Sequence, residues 1–271
     1  MLPPAGRLVD NPRVDRVELA AGQIEYQWVG VRDGWRGTLV FLHEGLGCAA
    51  MWGRFPHALA VAVGHRGLVY SRFGYGGSSP LARPRTDRFM HEEALEVLPD
   101  LLDRLGVRMP LFVGQSDGAS IALIYASAHP ASVSGLILEA PHVFAEQVTL
   151  DAIGRVRSRS EQDADFHGKF GRYHRDARSV VEIWSDAWLA SSFRAWTIEA
   201  GLPAVACPVL LLQAEHDPYG SLEHVNRIAG RVRGPVRRVV LPGDGHAPHR
   251  GCRARALHEM TAFIGSLVAT P

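Results

Sequence analysis

Two kinds of apolar pattern alternate along this chain. Residues 38–42, 68–70, 111–113, 133–138 and 209–213 are short, mostly apolar runs, and 236–241 is a further short strand-like run interrupted by Arg237 and Arg238. Runs of that length and uniformity predict strands covered on both faces. Between them the apolar positions recur every three to four residues. Over residues 51–63, Trp52, Phe55, Leu59 and Val63 share one helical face, and over 91–105 Leu95, Leu98, Leu102 and Leu105 do the same. Residues 119–128, 221–229 and 253–268 read as further helices. The start is different: residues 14–29 alternate with a period of two around a turn at Ala21-Gly22, which predicts an antiparallel hairpin. Strands separated by helices define an α/β fold, a mostly parallel, doubly wound sheet with helices on both faces.

The alternation stops after residue 142. From 143 to 203 the pattern is helical, with no convincing strand, and it then returns to strand and helix. The expected organisation is a core of residues 1–142 and 204–271 carrying an inserted helical cap, 143–203. The insertion contains Trp184, Trp188, Trp196, Phe144, Phe166, Phe170 and Phe193. Trp184 and Trp188 stand at i and i+4, on one helical face. A small cap has little interior of its own, so its apolar face is expected to rest above the carboxyl edge of the sheet. Phe144, Trp184, Trp188 and Trp196 are therefore the candidate lining of a substrate pocket, for a small molecule with an apolar or aromatic part. The cap arginines Arg155, Arg157, Arg159, Arg172, Arg175 and Arg178 read as its solvated face.

Composition narrows the class. The 271 residues are 46% hydrophobic and 21% charged, ordinary for a globular protein with a sizeable core. Basic and acidic side chains nearly cancel, 29 against 28, which gives no electrostatic reason to expect nucleic acid or an anionic membrane as partner. Cys48, Cys207 and Cys252 are odd in number and widely spaced, against both a disulfide framework and a zinc site. Residues 1–7 contain no apolar segment of the kind an export signal needs, and no run approaches the ~18 apolar residues that span a bilayer. A cytoplasmic protein is expected, with neither metal nor organic cofactor.

Ligands of such sheets bind at the carboxyl ends of the strands, and the reactive residue types fall there. Gly114-Gln115-Ser116-Asp117-Gly118 lies between a strand and a helix, the setting of a turn tight enough to push a serine off the sheet edge. A serine hydroxyl needs a base, and the base needs an orienting acid. Asp217 follows the strand at 209–213 and His246 follows the strand at 236–241, in the order expected for an elbow serine. We assign Ser116 as nucleophile, Asp217 as acid and His246 as base; Glu215 and Asp244 are rivals for the acid, and His249 for the base. A developing oxyanion needs backbone donors. Asp117 supplies one N–H, and the loop His43-Glu44-Gly45-Leu46-Gly47 supplies the other, from Gly45 or, second, Leu46.

With these segments and Arg72-Phe73-Gly74-Tyr75-Gly76-Gly77-Ser78 in view, the chain resembles the α/β-hydrolase superfamily over essentially its whole length. The resemblance implies a Ser116–His246–Asp217 triad and a cap inserted after the sixth main strand. The Gly-x-Ser-Asp-Gly elbow is similar to the branch holding carboxylesterases, lactonases and hydrolases of carbon–carbon bonds in ring-cleavage products. Where that family usually has His-Gly, this chain has His43-Glu44, so Glu44 either faces away or lies near the pocket. The expected function is hydrolysis of a small ester, lactone or thioester through an acyl-enzyme on Ser116. Carbon–carbon cleavage beside a ketone is the enzymatic alternative, and a ligand-binding receptor with negligible turnover is the non-enzymatic one.

Overall fold

A computed structural model describes residues 8–9, 13–32 and 37–268. Residues 1–7, read above for an export signal, lie outside the described residues. Eight strands form one sheet in the order β1-β2-β4-β3-β5-β6-β7-β8. They are β1 (Asp15–Leu19), β2 (Gly22–Gly30), β3 (Thr38–Leu42), β4 (Arg66–Tyr70), β5 (Leu111–Gln115), β6 (Gly135–Glu139), β7 (Val209–His216) and β8 (Val236–Asp244). β1 and β2 make the expected hairpin, with Leu19 opposite Gly22, so the connecting pair is Ala20-Ala21, one residue earlier than the sequence suggested. β2 runs antiparallel to β4, and every later neighbour is parallel.

The central parallel strands β3, β5 and β6 are covered on both sides, as their apolarity requires, whereas the edge strand β8 is largely exposed. Val40, Leu42, Phe112, Leu136 and Leu138 point into one core, and Leu39, Phe41, Val113 and Ile137 point into the other. α1 (Phe55–Val63) and α10 (Arg253–Val268) close the second face. On the first lie α2 (Phe89–Glu92), α3 (Leu98–Arg104), α4 (Asp117–Ala128) and α8 (Glu223–Arg231).

Prolines account for the differences from the predicted helices. A single helix over 51–63 is replaced by a 3-10 turn, Ala49–Trp52, followed by α1, because Pro56 starts a helix well but cannot donate within one. Between α2 and α3 the chain makes a π turn, Glu93–Val97, just before Pro99. The wider turn accommodates a residue with no N–H for the preceding turn.

Between β6 and β7 the insertion folds as α5 (Gln147–Gln162), α6 (Ala164–Gly171) and α7 (Ala177–Leu189), with 3-10 turns at Ser191–Ala195 and Glu199–Ala204. A bridge between Phe144 and Thr197 closes its base. Buried His224 anchors that base: its Nδ1 accepts the Val143 N–H at 3.2 Å and its Nε2–H donates to Glu146 at 2.8 Å. Glu146 also accepts from the Ser221 N–H and hydroxyl. α4 is buried nearly all round, because the sheet lies beneath it and the insertion above. The remaining short helix, α9 (Pro248–Gly251), lies between β8 and α10. Among the described residues no helix is long and apolar enough to cross a membrane.

Candidate active site

Ser116 stands between β5 and α4 with φ 52° and ψ −119°, a backbone conformation costly for any residue with a side chain. Its N–H is tied to the Glu139 carbonyl at 2.9 Å. The turn is tight because strand and helix nearly touch. A β-carbon on Gly114 would lie 2.5 Å from the Gly118 carbonyl oxygen, and one on Gly118 would lie 2.1 Å from that of Leu42.

β7 and β8 both run past their predicted ends, to a bulge at Ala214/His216 and a final pair His216–Asp244. Their extension delivers Asp217 and His246 to the same edge as Ser116. His246 Nδ1 lies 2.9 Å from each oxygen of the Asp217 carboxylate, which is fully buried. Asp217 is itself oriented by accepting the Tyr219 N–H at 2.8 Å, and Gln115 Nε2–H holds the His246 carbonyl at 3.0 Å. With its proton on Nδ1, His246 presents a basic Nε2. Ser116 and His246 line one cavity. His246 hydrogen-bonds through Nδ1 to Asp217 and makes no bond to Ser116 Oγ; catalytic hydrogen bonds of this kind often tighten only in the substrate complex.

The rivals lie elsewhere. Glu215 and Asp244 are exposed at the strand ends. His249 is buried, donates from Nδ1 to Glu139 at 2.6 Å, and packs 4.6 Å from the Trp52 ring and 5.2 Å from that of Phe55.

Gly45 and Asp117 both line the cavity. Leu46, the second choice for the first donor, has its N–H taken by the Glu44 carboxylate. Glu44 therefore turns inward and lines the cavity. Burial raises its pKa above the usual carboxylate value, against the pull of the Leu46 N–H, Arg250 and His246. Trp184 covers the loop so closely that a β-carbon on Gly45 would lie 2.0 Å from its Nε1.

The cavity measures about 230 Å³. Of the aromatic residues predicted to line it, Trp184 and Trp188 do, and Phe144 and Trp196 do not. Phe144 packs 4.3 Å from the His224 ring under the Arg227 guanidinium, at the root of the insertion. Trp196 stacks on Phe193 at 5.0 Å. Phe170, Ile153 and Met51 complete the apolar wall. Sequence reasoning passed over His142, Thr149, Tyr219 and Arg250, which also line it. The available signal was position: His142 follows β6 as His246 follows β8.

His142 is buried among three rings, 5.0 Å from His224, 5.3 Å from Trp188 and 5.6 Å from His246. Burial, with His224 and His246 adding, holds it well below the ordinary histidine value of 6.5. His43 is held down similarly by burial and Arg72. The unfolded chain takes up these protons near pH ~6.5 and the folded one only at lower pH, so this stability is complete above ~6.5 and declines as pH falls below it. The buried carboxyls Glu44, Glu93 and Asp117, all raised by burial, act in the opposite sense above their ordinary values. A comparison with His142→Asn isolates one histidine. Between about pH 6.5 and 5.5 the variant should take up about one proton fewer on unfolding, removing up to ~1.4 kcal/mol per pH unit of slope. Urea unfolding at both pH values measures this, and an unchanged slope would contradict the burial of a neutral His142.

The topology, the strained serine and the residues at the carboxyl edge define an α/β-hydrolase fold. The sequence model of the family described as alpha/beta hydrolase fold matches residues 37–156. No functionally curated protein matches the chain. Solved structures with the same fold include a bacterial membrane phospholipase A, at 19% identity and a TM-score of 0.79, covering 96% of this chain and 87% of that one. Another is proline iminopeptidase of Mycobacterium smegmatis, at 18% identity and a TM-score of 0.74, covering 94% and 98%. An esterase of Exiguobacterium antarcticum is similar at 20% identity and a TM-score of 0.71, covering 96% and 99%. The chain has the α/β-hydrolase fold.

Proposed function

We propose that this protein is a serine hydrolase that cleaves a small ester, lactone or thioester through an acyl-enzyme on Ser116. One observation carries the reading: His246 Nδ1 bonds both oxygens of a buried Asp217, and His246 lines the same cavity as Ser116. In the mechanism this supports, Nε2 takes the Ser116 proton as Oγ attacks the carbonyl, and Asp217 stabilises the imidazolium. The oxyanion develops toward the Gly45 and Asp117 N–H groups. His246 returns the proton to the leaving group, and water then resolves the acyl-enzyme by the same steps in reverse order of roles. An esterase is among the similar structures, and an N-acyl homoserine lactonase is another; both chemistries pass through such a tetrahedral centre.

A cavity of about 230 Å³ lined by Trp184, Trp188 and Phe170 favours a short or compact acyl group. Across p-nitrophenyl esters of increasing chain length, kcat/KM should peak at short acyl chains and fall once the chain outgrows the cavity. A fluorophosphonate probe should label the protein, with fluoride leaving as Ser116 Oγ bonds phosphorus, and should not label Ser116→Ala. Equal labelling of wild type and Ser116→Ala would falsify the nucleophile assignment. Rapid labelling with no turnover of any ester or lactone would point instead to a receptor.

A further inference from the structure

The oxyanion hole is flanked by two carboxylates, Glu44 in the loop after β3 and Asp117 directly after the nucleophile. Negative charge developing between two anions is disfavoured unless something offsets them. Arg72, which follows β4 and has no exposed side-chain surface, reaches the Glu44 backbone carbonyl and the Asp117 carboxylate. We propose that Arg72 is a positioning residue for this oxyanion hole, one arm of its guanidinium fixing the Glu44–Gly45 peptide and the other offsetting the Asp117 carboxylate. The inference rests on the serine-hydrolase reading above.

The first arm is a matter of peptide geometry. The Glu44 carbonyl accepts Arg72 Nη2–H at 2.9 Å and His43 Nδ1–H at 2.7 Å. His43 can donate from Nδ1 because its Nε2 accepts the Arg72 backbone N–H at 3.1 Å. No cis peptide bond occurs among the described residues, so the Gly45 N–H points opposite to the Glu44 carbonyl. Two donors drawing that carbonyl away from the cavity turn the Gly45 N–H toward it.

The second arm concerns charge. Arg72 Nη1 lies 3.8 Å from Asp117 Oδ2, in a pair with almost no solvent access. The other Asp117 oxygen accepts Trp188 Nε1–H at 3.1 Å, from α7 of the insertion. The Asp117 carboxylate is thus fixed from both sides, with a cation against one oxygen. A buried ion pair is a poor source of stability compared with apolar packing, so its use here is better explained by what it orients. Only a planar fork reaches two such acceptors at once, which lysine cannot do.

The test uses fluorophosphonate labelling rates and p-nitrophenyl acetate kinetics of the full chain. Arg72→Met should slow labelling and lower kcat by roughly 10²-fold, with KM little changed. Adding Asp117→Asn to Arg72→Met should recover at least about tenfold of that loss, since the unbalanced carboxylate is gone. A merely structural role moves neither the kcat–KM split nor this rescue. Should Arg72→Met fail to fold, Arg72→Lys keeps the charge, and it should label at least about tenfold slower at an unchanged melting temperature. Wild-type labelling rates in the folded Arg72 variants, or a double variant no faster than the single, would overturn the inference alone. No labelling of wild type at all would overturn the hydrolase reading and this inference with it.

Discussion

Asp217→Asn should lower kcat for p-nitrophenyl ester hydrolysis by about 10⁴-fold while leaving KM within a few-fold of wild type. An asparagine side chain fits the same space, so the fold has no reason to change. Its amide offers one oxygen and one donating nitrogen where His246 Nδ1 now meets two acceptors at 2.9 Å each. Donation from the amide to Nδ1 moves the imidazole proton to Nε2, the nitrogen that must accept from Ser116. The imidazolium formed on attack also loses its counter-charge. Neither rival acid can substitute, because Glu215 and Asp244 are both exposed at the strand ends. Steady-state kinetics with a melting curve of the variant makes the check. A loss smaller than tenfold in a folded variant would remove Asp217 from the catalytic role.

Gly118→Ala, a change of one methyl group, should be close to incompatible with the fold. The added carbon would sit 2.1 Å from the Leu42 carbonyl oxygen, 2.5 Å from its carbonyl carbon and 2.8 Å from the His43 carbonyl oxygen. All three are backbone atoms at the end of β3, so no side-chain rotation relieves the contact. α4 has to move off the sheet, and its own burial on all sides opposes that movement. Overpacking against rigid backbone belongs among the largest single-substitution effects, about 4 kcal/mol or more. In a chain of this size that corresponds to a melting temperature lower by about 10 °C, or to loss of soluble protein. Fluorophosphonate labelling should fall with it, because the same displacement shifts both Ser116 and the loop carrying Gly45. A variant melting within about 2 °C of wild type would show that α4 does not approach β3 this closely.

The placing of the candidate site was legible where local patterns report position. A strand shows itself by a short apolar run, and in a parallel sheet the residue after each run lies at one common edge. Ser116, Asp217 and His246 each follow such a run, and the structure brings them to that edge. The cavity-lining residues were legible only in part. Trp184 and Trp188 at i and i+4 must share a face, and they do line the cavity. Phe144 and Trp196 have the same composition signal but lie at the root of the insertion, packed on His224 and Phe193. Aromatic character predicts burial, and nothing in the local sequence says against which surface.

What the sequence by itself determined is therefore the α/β order, the tight turn at Gly114–Gly118 and the placing of a serine, an acid and a histidine after three strands. These depend on periodicity, on turn stereochemistry and on the shared direction of parallel strands, all of which act over a few residues. The tertiary structure decided the inward turn of Glu44, the loss of the Leu46 donor, the second histidine at 142 and the buried Arg72 behind the oxyanion loop. The last two join segments far apart in the chain, His142 with His224 and His246, and Arg72 with Asp117. Their partners are fixed by the stacking of sheet, α4 and insertion, and a distance across three packed layers leaves no period in the sequence to read.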